Sequence, residues 1–270
     1  MNTTERKEVV IVGAEQKQVK SRFEAKEYQI FVSKPSSEPP ENGYPIIYVL
    51  DANSIFGTVV EAMRLQSGRS EKTGVVPAII VGIGYPVDTP FSVERYYDFT
   101  FPSTNEELPI SPSGRAWPKH GGAENFLRFI EEDLKPIMHR DFHVDQNKQT
   151  IFGHSLGGLF VLSTLLVKPH TFQTYIAGSP SIHWNKRLFS QLEEQFQEKA
   201  RKEKINVNVL ISVGELEKHH KSGMNDNAFQ CSNRFKKYGL HVEFKEFEDE
   251  GHLSVLLPLV NKAIRFSSVV

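Results

Sequence analysis

Cysteine is almost missing from this chain: among 270 residues the only thiol belongs to Cys231. That excludes an internal disulfide and any C-x-x-C pair for redox chemistry or zinc, and it suits a reducing compartment. An excess of charge is lacking too, since 32 Lys and Arg face 33 Asp and Glu for a net charge of −1. A general nucleic-acid binder needs a basic field that this balance does not supply. Long apolar runs are absent. The richest, residues 78–87 and 156–167, are interrupted by Gly, Pro, Ser or Thr and fall short of the roughly 18 residues of a membrane span. Residues 1–8, MNTTERKE, show no stretch like a signal peptide's, so the expected location is cytoplasmic, with no membrane partner. Eighteen glycines and fifteen prolines are average usage, which leaves no room for low complexity. No repeat and no linker divides the chain, and a length of 270 residues lets one domain bury roughly three quarters of its unfolded surface.

Short apolar runs bounded by turn residues recur throughout, with helix-period segments between the later ones; the pattern is α/β. Val9 to Gly13 and Tyr28 to Val32 read as an early, antiparallel pair of strands, followed by a loop from Pro35 to Pro45. Ile46 to Leu50 and Ala78 to Ile83 are apolar at every position, as central strands covered on both faces must be. A helix over Phe126 to Leu134 with Pro136 near its end, a strand over Thr150 to Phe152 and an apolar helix over Leu156 to Val167 follow. Further strands are predicted at 174–177, 207–213 and 242–247, and helices at about 186–203, 226–238 and 254–266. Residues 86–123 lack periodicity and are too long for an ordinary connection, so they read as a cap or insertion over an active site.

Gly153-His154-Ser155-Leu156-Gly157 matches G-x-S-x-G, with Gly158 next. The pattern alone is weak, but it lies directly between an apolar strand and an apolar helix, where the nucleophile elbow of α/β-hydrolases holds its serine on a strained turn. Glycine on both sides avoids a Cβ that would strike the neighbouring strand or helix. His154, at an x position, is expected to point away from the serine.

A serine hydroxyl needs a histidine base and usually an acid to orient it, and in this fold they follow the serine in the order acid, histidine. The strand at 207–213 runs into Gly214-Glu215-Leu216-Glu217, and the strand at 242–247 into Glu248-Asp249-Glu250-Gly251-His252. His252 is therefore the predicted base and Glu217 the acid, with Glu215 as the alternative, set so near the strand end that its side chain would face the sheet. His139 and His143 lack a third ligand nearby, and His219-His220, which could bind metal in principle, read as a solvated loop, so neither a metal nor a cofactor is predicted. Acyl transfer also needs amide donors for the oxyanion. They are assigned to the N–H of Leu156 and, on the loop after the strand at 46–50, the N–H of Asn53, with Asp51 shaping that loop.

The ordered set Tyr48-Val49-Leu50-Asp51, Arg95 to Asp98 with Thr100, Gly153 to Gly158, Ser179-Pro180-Ser181, Gly214 to Glu217 and Gly251-His252 resembles the esterase D-like esterases of the α/β-hydrolase superfamily. Within them it is most similar to the trilactone siderophore esterases, which act on ferric enterobactin, salmochelin or bacillibactin. The likeness runs from about residue 8 to 266. It implies a mostly parallel central sheet with an antiparallel N-terminal edge and helices on both faces. It also implies a Ser155 nucleophile, a His252 base and hydrolysis of the ester backbone of a catecholate, freeing iron inside the cell. Relatives often carry Leu-Asp-Gly where this chain has Leu50-Asp51-Ala52, and some work with a Ser-His dyad.

Arg95, Trp117 and Trp184 lie in the suspected cap and the loop after Ser179, in a mix of cations and aromatics that suits a large aromatic anion through charge and stacking. Solvated loop charges or a structural pair of Arg95 with Asp98 account for the same residues. The expected activity is thus a serine carboxylic ester hydrolase whose partner is a small-molecule ester, a ferric catecholate siderophore. The rivals are a general carboxylesterase or thioesterase on small acyl or aromatic esters, and a non-catalytic ligand-binding protein on a hydrolase scaffold.

Overall fold

A computed structural model describes residues 9–111 and 114–269. Eight strands form one sheet in the order β1-β2-β4-β3-β5-β6-β7-β8. They are β1 (Ala14–Lys20), β2 (Glu27–Ser33), β3 (Tyr44–Leu50), β4 (Ile79–Gly84), β5 (Val144–His154), β6 (Thr174–Gly178), β7 (Asn208–Gly214) and β8 (His241–Phe247). β1 pairs antiparallel with β2, and β2 with β4; every other pairing is parallel. The helices are α1 (Ala52–Ser67), the single turns α2 (Ser70–Thr73) and α3 (Arg95–Asp98), α4 (Ala123–Arg128), α5 (Lys135–Asp141), α6 (Leu156–Val167), α7 (Lys186–Lys202), α8 (Met224–Lys237) and α9 (Leu256–Ser268).

The strand period of two divides the core. Ile46, Tyr48 and Leu50 of β3 face a cluster that includes Phe126, Phe160, Phe196 and Phe235, whereas Ile47 and Val49 face one built with α1 and α9. Helices thus cover both faces, and the all-apolar β3 and β4 are buried between them, as their composition requires. α6 is apolar around its whole circumference, and every residue from Leu156 to Leu166 is buried. No helix among the described residues is long and apolar enough to cross a membrane.

Three details depart from the sequence reading, and a fourth describes the 86–123 segment. Residues 9–13 lie outside the sheet, and the first strand is instead the polar AEQKQVK of β1, which buries only Val19. Such an edge strand carries little apolar signal. α1, for which no helix was predicted, follows β3 directly. The helix expected over Phe126 to Leu134 continues past Pro136, because Phe129–Leu134 forms a π-helical stretch between α4 and α5. Its wider turn relieves the encounter of the proline ring with the Glu132 carbonyl. Finally, the centre of the 86–123 segment is drawn into the core. Phe99 and Phe101 are buried, and the N–H groups of Gly122 and Ala123 bond the carbonyls of Tyr97 and Thr100 at 2.8 and 3.0 Å.

Candidate active site

Parallel β5, β6, β7 and β8 end at one rim, and the loops leaving β5, β7 and β8 carry Ser155, Glu217 and His252. Ser155 caps α6 at φ 60°, ψ −117°, a left-handed backbone that a non-glycine residue rarely accepts. Its N–H is held by the Gly178 carbonyl at 2.9 Å, which fixes the turn against β6. A Cβ on Gly153 would strike the carbonyl of Gly157, and one on Gly158 would come within 2.7 Å of the Gly178 carbonyl. A Cβ on Gly157 would find nothing nearer than 3.5 Å. The second steric demand for glycine therefore falls on Gly158 and not, as the motif suggested, on Gly157.

His252 Nε2 lies 3.1 Å from Ser155 Oγ, and its Nδ1 lies 2.7 Å from Glu217 Oε2. A proton on Nδ1 satisfies the carboxylate and leaves the Nε2 lone pair to accept the serine hydroxyl. Burial pushes the Glu217 pKa up, but hydrogen bonds from His252, Ser179 Oγ (2.6 Å) and the Gly214 N–H (2.7 Å) outweigh it, so the carboxyl stays below its usual range. Glu215 is elsewhere: it bonds Lys218 Nζ at 2.7 Å and the Asp249 N–H at 3.2 Å, facing neither His252 nor the sheet interior. Gly214 lets the loops close on each other, since a Cβ there would meet the Glu250 carbonyl.

Three contacts escaped the sequence reading. Ser179, at φ 41°, donates to Glu217, and Ser181 Oγ sits 3.2 Å from Ser155 Oγ while its N–H bonds the Ser155 carbonyl. Ser179-Pro180-Ser181 was visible as a motif, but nothing in it told which partners its hydroxyls would reach. His154 backs the His252 ring, with centroids 4.7 Å apart, where it was expected to point away. Burial, followed by the proximity of His252, lowers its pKa to about 3, and both its ring nitrogens are buried without partners.

Leu156 is the first residue of α6 and Asn53 the second of α1, so neither N–H has an intrahelical partner. The Asn53 side chain accepts from the Tyr85 N–H and donates to the Tyr85 and Val87 carbonyls, all at 2.9 Å. Asp51, at φ 51°, is gripped by Arg95 through two bonds of 2.9 and 2.8 Å, and Arg95 also reaches the His154 carbonyl at 3.4 Å. The structure places the three residues named for recognition away from the nucleophile's cleft. Arg95 is buried in that pair, Asp98 bonds Lys26 and Tyr85 instead, and Trp184 is buried against Trp117, their centroids 4.7 Å apart. None of Arg95, Trp117 and Trp184 lines the cleft beside Ser155, which holds about 380 Å³ between His183, Leu216, His220 and Met224. Among the described residues no three His, Cys, Asp or Glu side chains gather as metal ligands.

Comparison with known proteins gives a consistent result. The Esterase family model (Putative esterase) matches residues 21–253. The chain is 56% identical over 260 residues to the ferri-bacillibactin esterase BesA of Bacillus subtilis, covering 95% of this chain and 90% of that protein. It is 33% identical over 273 residues to a siderophore enterobactin esterase of Emericella nidulans, covering 89% of each. The crystal structure of the BES protein from Bacillus cereus superposes with a TM-score of 0.91 at 44% identity, covering 99% of this chain and 100% of that one. The architecture is that of the α/β-hydrolase esterases.

Proposed function

The chain belongs to the Esterase family, and from that premise we propose that it cleaves carboxylic esters by serine catalysis, with the trilactone backbone of a ferric catecholate siderophore as substrate. The observation that carries this reading is the unbroken path from Ser155 Oγ through both nitrogens of His252 to Glu217. Ser155 attacks the ester carbonyl while His252 Nε2 takes the hydroxyl proton, and Glu217 holds the tautomer and balances the imidazolium. The N–H groups of Leu156 and Asn53 receive the oxyanion, each such donor lowering a barrier by about 2.7–4 kcal/mol in other hydrolases. His252 then protonates the departing alcohol, and a water activated by the same nitrogen frees the acyl group from Ser155. Iron arrives as cargo of the substrate. The names of the two relatives support the substrate, and the compartment proposed is the cytoplasm, where freed iron enters use.

The test is covalent labelling with a fluorophosphonate, with the modified peptide mapped, alongside the kcat/KM of a ferric trilactone and of p-nitrophenyl acetate. Label on Ser155 that is lost in His252→Ala, with the trilactone strongly preferred, is expected. Label elsewhere overturns the mechanism, and preference for the small ester replaces the substrate with a simple acyl ester.

A further inference from the structure

The turn Ser179-Pro180-Ser181, which follows β6, carries two hydroxyls. That of Ser179 is occupied with the acid, through its 2.6 Å bond to Glu217. That of Ser181 has no part in the steps above, yet its Oγ lies 3.2 Å from Ser155 Oγ and the residue is only 6% exposed. Backbone bonds fix it there. The Ser181 N–H donates to the Ser155 carbonyl at 3.1 Å, the Ser181 carbonyl accepts the Trp184 N–H at 2.9 Å, and the Ser179 N–H donates to the Ser212 carbonyl at 2.7 Å. The direction of the bond between the two hydroxyls follows from the histidine. With the Nδ1 proton facing Glu217, Nε2 is an acceptor and takes the single proton of the Ser155 hydroxyl, so Ser181 is left as the donor and Ser155 Oγ as the acceptor. Such a donor matters most when charge grows on Ser155 Oγ. In the acyl-enzyme that atom is an ester oxygen, a poor acceptor, and as its bond to the acyl carbon breaks it approaches an alkoxide. A hydrogen bond that strengthens along this path lowers the barrier, whereas one equally strong before and during the step does not.

We propose that Ser181 is a catalytic residue for release of the acyl group, its hydroxyl donating to Ser155 Oγ as that oxygen leaves the acyl carbon. The water oxygen bonds the acyl carbon and gives a proton to His252 Nε2. The tetrahedral adduct then collapses: the bond from carbon to Ser155 Oγ breaks, its electron pair goes to Oγ, and Oγ takes the proton back from His252. Ser181 keeps its own proton throughout and supplies a charge-assisted hydrogen bond. The proposal rests on the serine esterase reading and adds a donor on the nucleophile's own oxygen, apart from the two amides that receive the carbonyl oxygen. Acylation gains less from it, because there the bond is already made to the resting hydroxyl before attack.

Hydrolysis of p-nitrophenyl acetate separates the two halves of the reaction, since the burst of p-nitrophenolate reports acylation and the later steady state reports loss of acetate from Ser155. In Ser181→Ala the decay of the acetyl-enzyme, followed by intact-protein mass spectrometry, is expected to slow about ten- to hundredfold, the range for a hydrogen bond to a charged group. The burst rate is expected to change far less. As the acyl-enzyme accumulates, kcat and KM fall together and kcat/KM stays close to the wild-type value. A merely disturbed cleft has the opposite signature, a raised KM and a lowered kcat/KM. Ser181→Thr, which keeps the hydroxyl, is expected to recover most of the lost rate, and a threonine variant as slow as the alanine one assigns the effect to packing and overturns the proposal. Acetyl-enzyme that decays at the wild-type rate in Ser181→Ala, or a loss confined to kcat/KM, overturns it as well. Turnover that survives Ser155→Ala sinks the serine reading itself, a failure told apart from these because it appears with Ser181 intact.

Discussion

Two places on the sheet's carboxyl rim are built from similar residues and do opposite things with them. After β3 and β4, Asp51, Arg95, Asn53, Asp98 and Tyr85 are locked to one another, to backbone or to Lys26 ahead of β2. After β5, β6, β7 and β8, polar side chains stay open to a cavity: Ser155, His183, His220 and His252 all line the cleft. A cation near an aromatic therefore does not mark a recognition surface. What separates a brace from a cleft wall is whether its side chains are tied to one another or open to the cavity, because a satisfied buried pair gains nothing from a ligand and loses much when broken.

The strongest way to break this comparison is at Ser155. Ser155→Ala is expected to lower kcat by about a millionfold, roughly 8 kcal/mol of barrier, while the urea unfolding free energy moves by less than about 1 kcal/mol. Glu217→Gln should cost about a thousandfold or more in kcat, and a loss below about tenfold would mean that Ser155 and His252 suffice as a dyad. On the braced side, Arg95→Met leaves Asp51 charged and buried, so a loss of about 3–5 kcal/mol in urea unfolding is expected. Intact stability with a raised KM would return Arg95 to substrate recognition.

A smaller effect comes from His154. Below about pH 6.5 the unfolded histidine takes a proton that the folded ring, held near 3, refuses. The unfolded state then binds more protons, so stability falls as the pH drops through that interval. His154→Phe should reduce the stability lost between pH 7 and pH 5 by about 2 kcal/mol. Least of all, Gly157→Ala is expected to be neutral or to stabilise by up to about 1 kcal/mol, whereas the same change at Gly158 destabilises.

The sequence made the central strands of the parallel half readable, because strands covered on both faces must be apolar throughout. It also put Ser155, His252 and the pair Glu215 and Glu217 at strand ends in a telling order. It ranked Glu217 first and kept Glu215 as the alternative; the two are told apart by the fold, since Glu215–His219 is a 3-10 turn in which residues two apart lie about 120° from each other. α1 was legible in principle, for Ile55, Phe56, Val59, Val60 and Met63 repeat at helical spacing and all are buried. The pairing of Arg95 with Asp51, 44 positions away, and the meeting of His183 with His220 are products of the fold and leave no local trace.

Both margins of the sheet are strongly hydrophilic: β1 carries Glu15, Lys17 and Lys20, and β8 carries Glu243, Lys245 and Glu246. A second molecule seeking to extend the ladder at either side would have to strip water from those ions as it docked. Among the described residues no strand covers either border of the sheet, and these charges are what opposes edge-to-edge pairing between copies.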